Sequence, residues 1–311
     1  MASFEPAYFK TFEQGLLKEK IASAYSLLKS CTLCPRKCGV DRLSGETGIC
    51  KTAKRAWVSS YNAHFGEEEP LVGTHGSGTI FFTHCNLLCI FCQNFDISHQ
   101  GNGRQISDDE LAGIMLVLQN QGCHNINFVT PSHVVPQILS AVQIAVQRGL
   151  SIPLVFNTGG YDRITTLKLM DGVFDIYMPD FKFWDSHVAE IACQASDYPE
   201  VAQKALIEMH RQVGDLKVDD AGIARRGLLI RHLVLPNGLA GTRKIMRFVA
   251  RHISPNSYVN VMSQYRPCGR AAEVNGLNSH LHPNDYHVAV KAARQEGISR
   301  LDQPRRMFWF R

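Results

Sequence analysis

The sequence predicts an α/β fold: a partial (βα)6, TIM-like barrel with an N-terminal cysteine-rich extension. Two observations carry that prediction. From residue 79 onward, apolar runs of strand length alternate with segments of helical periodicity, the pattern of βα units around a parallel sheet. The polar residue types that do chemistry recur just where those runs end, and in a parallel α/β barrel the loops leaving the strand C-termini build the site.

Taken in order, residues 16–28 have the apolar spacing of an amphipathic helix that leads into "CTLCPRKCGVDRLSGETGIC". A short strand over 57–61 and a glycine-rich turn, "GTHGSG", follow. The turn places a boundary near Gly76, between an N-terminal segment (1–75) and the barrel (76–311). The first barrel strand is expected over 79–82. Ser107 with Glu110 three residues on is a capping box that opens a helix whose apolar face holds Leu111, Ile114, Met115 and Leu118. Strand two is expected over 126–130 with a helix over 134–148, strand three over 152–157 ending at "NTGG", and strand four over 174–178 running into "PDFKF". Two helices, around residue 188 and over 199–213, precede strand five at 228–235. "TRKIMRFVARHI" is the next crossover helix, 258–262 the sixth strand, and 284–296 a closing helix.

Composition bounds the function. The chain has 311 residues, 45% of them hydrophobic and 20% charged, enough apolar material for a sizeable core. A net charge of +5 without a block of basic residues points to no nucleic-acid partner. No apolar run reaches the roughly 18 residues needed to span a bilayer, and "MASFEPAYFK" lacks the layout of a secretory signal, so a cytoplasmic protein without a membrane partner is expected. Ten cysteines in a reducing compartment favour metal or redox chemistry over disulfides, and seven of them fall in two tight groups before residue 93.

The second group, Cys85, Cys89 and Cys92 in "FFTHCNLLCIFCQN", has C-x3-C-x2-C spacing on the loop after the first barrel strand. Thiolates select zinc or iron–sulfur clusters, and three ligands on a four-iron cluster leave one iron open to a small molecule. This motif, with Phe91 before its last cysteine, resembles the radical S-adenosylmethionine (radical SAM) superfamily. Over about residues 31–296 the chain resembles its members related to pyruvate formate-lyase activating enzyme. The resemblance implies a [4Fe-4S] cluster on Cys85, Cys89 and Cys92 that binds SAM and cleaves it reductively to a 5'-deoxyadenosyl radical. It also implies a flavodoxin- or ferredoxin-type electron donor and, in one form, a glycyl radical enzyme as protein substrate.

The later strand ends match the resemblance residue by residue. Asp180 and Lys182 of "YMPDFKF" correspond to a D-x-K element, and alternation puts them on the same side as Met178, opposite Phe181 and Phe183. Thr130, Asn157, Thr158, His232, Gln264 and Tyr265 stand where the family contacts SAM. Two departures are plain: "VTPSH" replaces the Gly-Gly-Glu that receives the SAM amine, and Asn157 replaces an Asp. The first cysteine group, Cys31, Cys34, Cys38 and Cys50, offers four ligands, and either a second iron–sulfur cluster or zinc suits it. Cys123 and Cys193 read as packing. A second class of function, a non-catalytic iron–sulfur electron-transfer or sensing protein, has the same cysteines.

Overall fold

The computed structural model describes residues 4–302. Its nine strands are β1 (Ala56–His64), β2 (Ser77–Phe82), β3 (Arg104–Ile106), β4 (Ile126–Val129), β5 (Leu154–Thr158), β6 (Ile176–Pro179), β7 (Lys217–Val218), β8 (Ala224–Leu233) and β9 (Tyr258–Met262). Six of them, β2, β4, β5, β6, β8 and β9, are parallel neighbours in chain order. β1 extends the sheet antiparallel beside β2, β3 pairs outside β1, and β7 pairs antiparallel with β8. The sheet is mixed, mostly parallel and open.

The helices pack on the outer face. Asp108–Asn120 begins with the expected capping box: Ser107 Oγ accepts from the Glu110 N–H at 3.1 Å, and the Glu110 carboxylate accepts from the Ser107 N–H at 2.7 Å. Val135–Gln147, Ser186–Cys193, Tyr198–Val213, Thr242–Phe248 and Pro283–Gln295 follow close to the expected spans. Helices Ala7–Glu13 and Ile164–Leu169 and strands β3 and β7 were not anticipated. Each is short, and periodicity needs more residues than these contain to show above noise. No helix of the described residues is long and apolar enough to cross a membrane.

One large core lies between sheet and helices and includes Tyr8, Leu17 and Leu28 of the N-terminal segment. A smaller cluster, Leu71, Val155, Ile176, Met178, Leu216, Ala224 and Leu229, fills the base of the concave face, where the one-turn helix Glu69–Val72 inserts Leu71. Above that base the concave face turns polar, and the candidate site begins there.

Candidate functional site

The loop after β2 is held in an unusual backbone shape. His84 and Leu88, immediately before Cys85 and Cys89, have positive φ, 71° and 58°. These conformations favour glycine, so a non-glycine residue costs of order 1 kcal/mol or more and marks a constrained site. The loop aims Cys85, Cys89 and Cys92 at one cavity of 260 Å³. Donors already face the sulfurs: the Leu87 N–H donates to Cys85 Sγ at 3.3 Å, and Ser98 Oγ to Cys92 Sγ at 3.2 Å. Such donors favour thiolates, yet burial dominates and pushes the Cys85 thiol up to about 12 and the Cys92 thiol up as well. The Cys89 thiol is raised by its contact with Cys193 first and by burial second. A metal that binds here has to displace those protons.

The far wall comes from the other strand ends. Thr130, Asn157, Thr158, Asp180, Lys182 and Gln264 all line the cavity, as the sequence led us to expect. Thr130, another non-glycine residue with positive φ (60°), opens the loop after β4. Thr158 Oγ1 donates to buried Asp162 at 2.7 Å and pairs with Ser132 Oγ at 3.0 Å. Burial pushes the Asp162 carboxyl up to about 6 against these hydroxyls.

His232 and Tyr265 correct the expectation. Neither lines the cavity. His232 is fully buried on the helix side of β8, with Nδ1 at 2.7 Å from the Phe181 carbonyl and Nε2 at 2.8 Å from Thr242 Oγ1. The Phe181 carbonyl can only accept, so Nδ1 carries the proton and Nε2 accepts from the hydroxyl. Tyr265 is also buried; its ring packs edge-on against Phe91, and its hydroxyl donates to the Leu277 carbonyl at 2.6 Å.

Arg231 takes the place that His232 vacates. β8 alternates, so its neighbour on the strand points to the concave face, where Arg231 Nε donates to Asp180 Oδ1 at 2.8 Å and Nη2 to Asn157 Oδ1 at 2.7 Å. Lys182 donates to the other oxygen of Asp180. Burial alone would raise the Asp180 carboxyl, but Arg231 and Lys182 outweigh it and hold it below the ordinary aspartate value. For Lys182 burial also works against the charge, and Asp180 with Cys89 overcomes it, so the ammonium is held above its ordinary value. Glu67 lies 3.8 Å from Arg231 beneath this group, and burial pushes its carboxyl up to about 7 despite the guanidinium.

The result is a buried chain of charge, Glu67, Arg231, Asp180 and Lys182, ending beside Cys89. Lys182 uses one of its donors on Asp180, and an ammonium has three. The Asn157 Nδ2, on the same concave face, has no hydrogen-bond partner within the protein. Buried polar atoms are rarely left so unless something else satisfies them. A cleft lined by thiols, an ammonium with donors to spare and an unpaired amide suits an anionic, polar ligand.

Cys31, Cys34, Cys38 and Cys50 come together too, around a separate small space that Arg42, Asn86 and His133 also line. Gly48 is required there: a Cβ at that position would lie 2.6 Å from Cys38 Sγ. Among the described residues no three His, Cys, Asp or Glu side chains converge closely enough to hold a single metal ion.

Fold and site together define an α/β protein with a thiol- and charge-lined cleft at the ends of its parallel strands. No protein-family model matches the sequence. Over 292 residues, 91% of this chain and 80% of the other, it is 32% identical to an uncharacterized protein, MJ0674, of Methanocaldococcus jannaschii, and the chain belongs to the same family.

Proposed function

We propose that the protein is a radical SAM oxidoreductase built on a partial (βα)6, TIM-like barrel. One observation carries the reading: the C-x3-C-x2-C loop after the first parallel strand lines the same cavity as Thr130, Asn157, Thr158, Asp180, Lys182 and Gln264 from four later strand ends. Bound to Cys85, Cys89 and Cys92, a [4Fe-4S] cluster would supply the electron and the open iron for reductive cleavage of SAM to a 5'-deoxyadenosyl radical.

The chain's own residues would bind and orient. Lys182, fixed by Asp180, presents its remaining N–H donors to a ligand carboxylate. Asp180 accepts from Arg231 on one oxygen and from Lys182 on the other, which makes it the anchor of two cations. Asn157 lines the cavity in place of the carboxylate that activating enzymes have there, and its Nδ2 has no partner within the protein. Thr130 offers a hydroxyl on the loop where the acidic Gly-Gly-Glu is missing, while the hydroxyls of Ser132 and Thr158 are paired with one another. In this reading the electron comes from a flavodoxin- or ferredoxin-type carrier, the protein acts in the cytoplasm, and one form of the reaction takes a hydrogen atom from a glycine of a partner protein. An open cavity beside the three cysteines supports this over a non-catalytic electron-transfer or sensing protein, which has no use for one.

The test is anaerobic reconstitution with iron and sulfide, reduction, and chromatographic measurement of 5'-deoxyadenosine with and without SAM. Wild-type protein should form it and Cys89→Ala should not. A wild-type protein that binds the cluster and SAM but forms none refutes the enzyme.

A further inference from the structure

Asp162 is a buried carboxylate outside the chain of Glu67, Arg231, Asp180 and Lys182. It is 4% exposed and accepts from Thr158 Oγ1 at 2.7 Å. Among the described residues no Lys, Arg or His lies within ion-pairing distance of it. Lys37, Arg163 and Lys204 line an outer groove that Asp162 also reaches, yet none of them pairs with it. The carboxylates nearer the cavity are matched, Asp180 by Arg231 and Lys182, and Glu67 by Arg231. Burial pushes Asp162 up to about 6 and only hydroxyls oppose it, so at pH 7 it is largely ionised. A buried charge is normally paired, and this one has no cation within the protein.

The chain folds this carboxylate back behind the cavity wall. Thr158 ends β5 and lines the cavity, and Gly159 and Gly160 turn the backbone so that Asp162 returns to it. The turn is tight enough for the Gly160 N–H to donate to Thr158 Oγ1 at 3.3 Å. A threonine hydroxyl has one proton, and Thr158 gives it to Asp162, so Ser132 is the donor in their 3.0 Å pair. Ser132 belongs to "VTPSH", the loop without a carboxylate, which the Thr130 N–H ties to β5 by donating to the Asn157 carbonyl at 2.9 Å. Thr158 therefore has no proton left for a ligand. Its end of the cavity is an acceptor wall with a negative charge behind it.

The opposite charge is one strand away. Thr158 pairs with Pro179 on β6, and neighbouring strands lie about 4.8 Å apart. Lys182 reaches back towards β5, where a Cβ on Gly159 would lie 3.7 Å from its Cε. A cation with spare donors and an anion without a cation thus serve the same end of the cavity. An α-amino acid group, with its carboxylate towards Lys182 and its ammonium towards Thr158, matches both.

We propose that Asp162 is the counter-charge for an ammonium group of the ligand: acting through Thr158 and Ser132, it takes the place of the carboxylate absent from the loop after β4. This deepens the SAM reading, on which it rests for the identity of the ligand. Asp162 is a positioning residue. It fixes the direction of the Thr158 proton and the sign of the potential at the wall, and no bond forms or breaks.

The experiment measures binding of S-adenosylhomocysteine and of its deamino analogue to the anaerobically reconstituted full chain by equilibrium dialysis. Neither compound has the sulfonium bond that the radical reading cleaves, so the result is independent of turnover. Wild-type protein should prefer the amine-bearing compound by about tenfold or more, and Asp162→Asn should narrow that preference to about threefold or less. Affinity for the deamino analogue should change by less than about twofold, because it has no ammonium to lose. Asparagine is isosteric and burial already disfavours the charge, so the variant should fold. If it does not, the same ratio is measured in Thr158→Val and Thr158→Ser: loss in the first with return in the second supports the role of the hydroxyl, and any other pattern overturns it. An Asp162→Asn protein that keeps the preference, or that weakens both affinities alike, overturns the proposal. An intact preference in a protein that forms no 5'-deoxyadenosine from SAM refutes only the radical reading. Wild-type protein that binds neither compound removes the SAM site and this assignment together.

Discussion

Replacing Arg231 by leucine should be among the most destabilising single changes on the concave face. The side chain contributes two hydrogen bonds to buried partners, to Asp180 at 2.8 Å and to Asn157 at 2.7 Å, and it is the cation nearest Glu67. Truncating one partner of a buried ion pair costs about 3–5 kcal/mol, because the other charge is stranded. Lys182 remains on Asp180, so the lower end, about 3 kcal/mol, applies to that pair. Asn157 would then have no partner for either amide atom, which adds about 1 kcal/mol. The expected loss is therefore about 4 kcal/mol, read as a fall in the urea midpoint at unchanged slope. Adding Glu67→Gln should return about 1 kcal/mol above pH 7, since it removes a carboxyl that burial already pushes up to about 7. An Arg231→Leu protein within 1 kcal/mol of wild type would show that the charge chain does not stabilise the fold, and the argument above would fail.

Three further outcomes follow from neighbouring residues. Burial drives His232 down to about 4, against an ordinary histidine value of about 6.5 in the unfolded chain, so its stabilisation is whole above pH 6.5 and declines as pH falls towards 4. Roughly 2 kcal/mol should disappear between pH 6.5 and 5, and a His232→Gln series of urea melts with the same pH slope as wild type would contradict this. Gly160 has φ +78°, and a Cβ there would lie 2.2 Å from the Asp180 carbonyl oxygen, so Gly160→Ala should cost more than about 3 kcal/mol; an unchanged melting temperature argues against the close approach. Thr130→Gly relieves a left-handed threonine and should leave stability equal or up to about 1 kcal/mol higher, while weakening SAM binding measured by equilibrium dialysis; undiminished binding would remove Thr130 from the site.

The elements that a one-dimensional pattern can specify were legible. The Ser107 capping box is a local exchange of hydrogen bonds among four consecutive residues, so it forms wherever those residues open a helix. The alternation in "MPDFKF" likewise holds: Asp180 and Lys182 share the cavity with one another, while Phe181 and Phe183 enter the helix-side core. β3 lay beyond reach, because three residues become a strand only through pairing with β1, some 46 positions earlier at Val58 and Arg104.

The same division runs through the site. The three cysteines after β2 stand out in the sequence because their spacing is contained in one loop. Their partners across the cavity depend on strand register. "GLLIRHLVL" is apolar on both faces, as in a strand buried on both sides, so it carries no amphipathic phase to tell Arg231 from His232. The register that sets Asp180 opposite Arg231, 51 residues apart, turns the arginine into the cavity and the histidine into the core. With a period of two residues, an error of one residue exchanges the two faces. Local spacing was enough to single out the three-cysteine loop, and only long-range strand pairing could determine which charges face it.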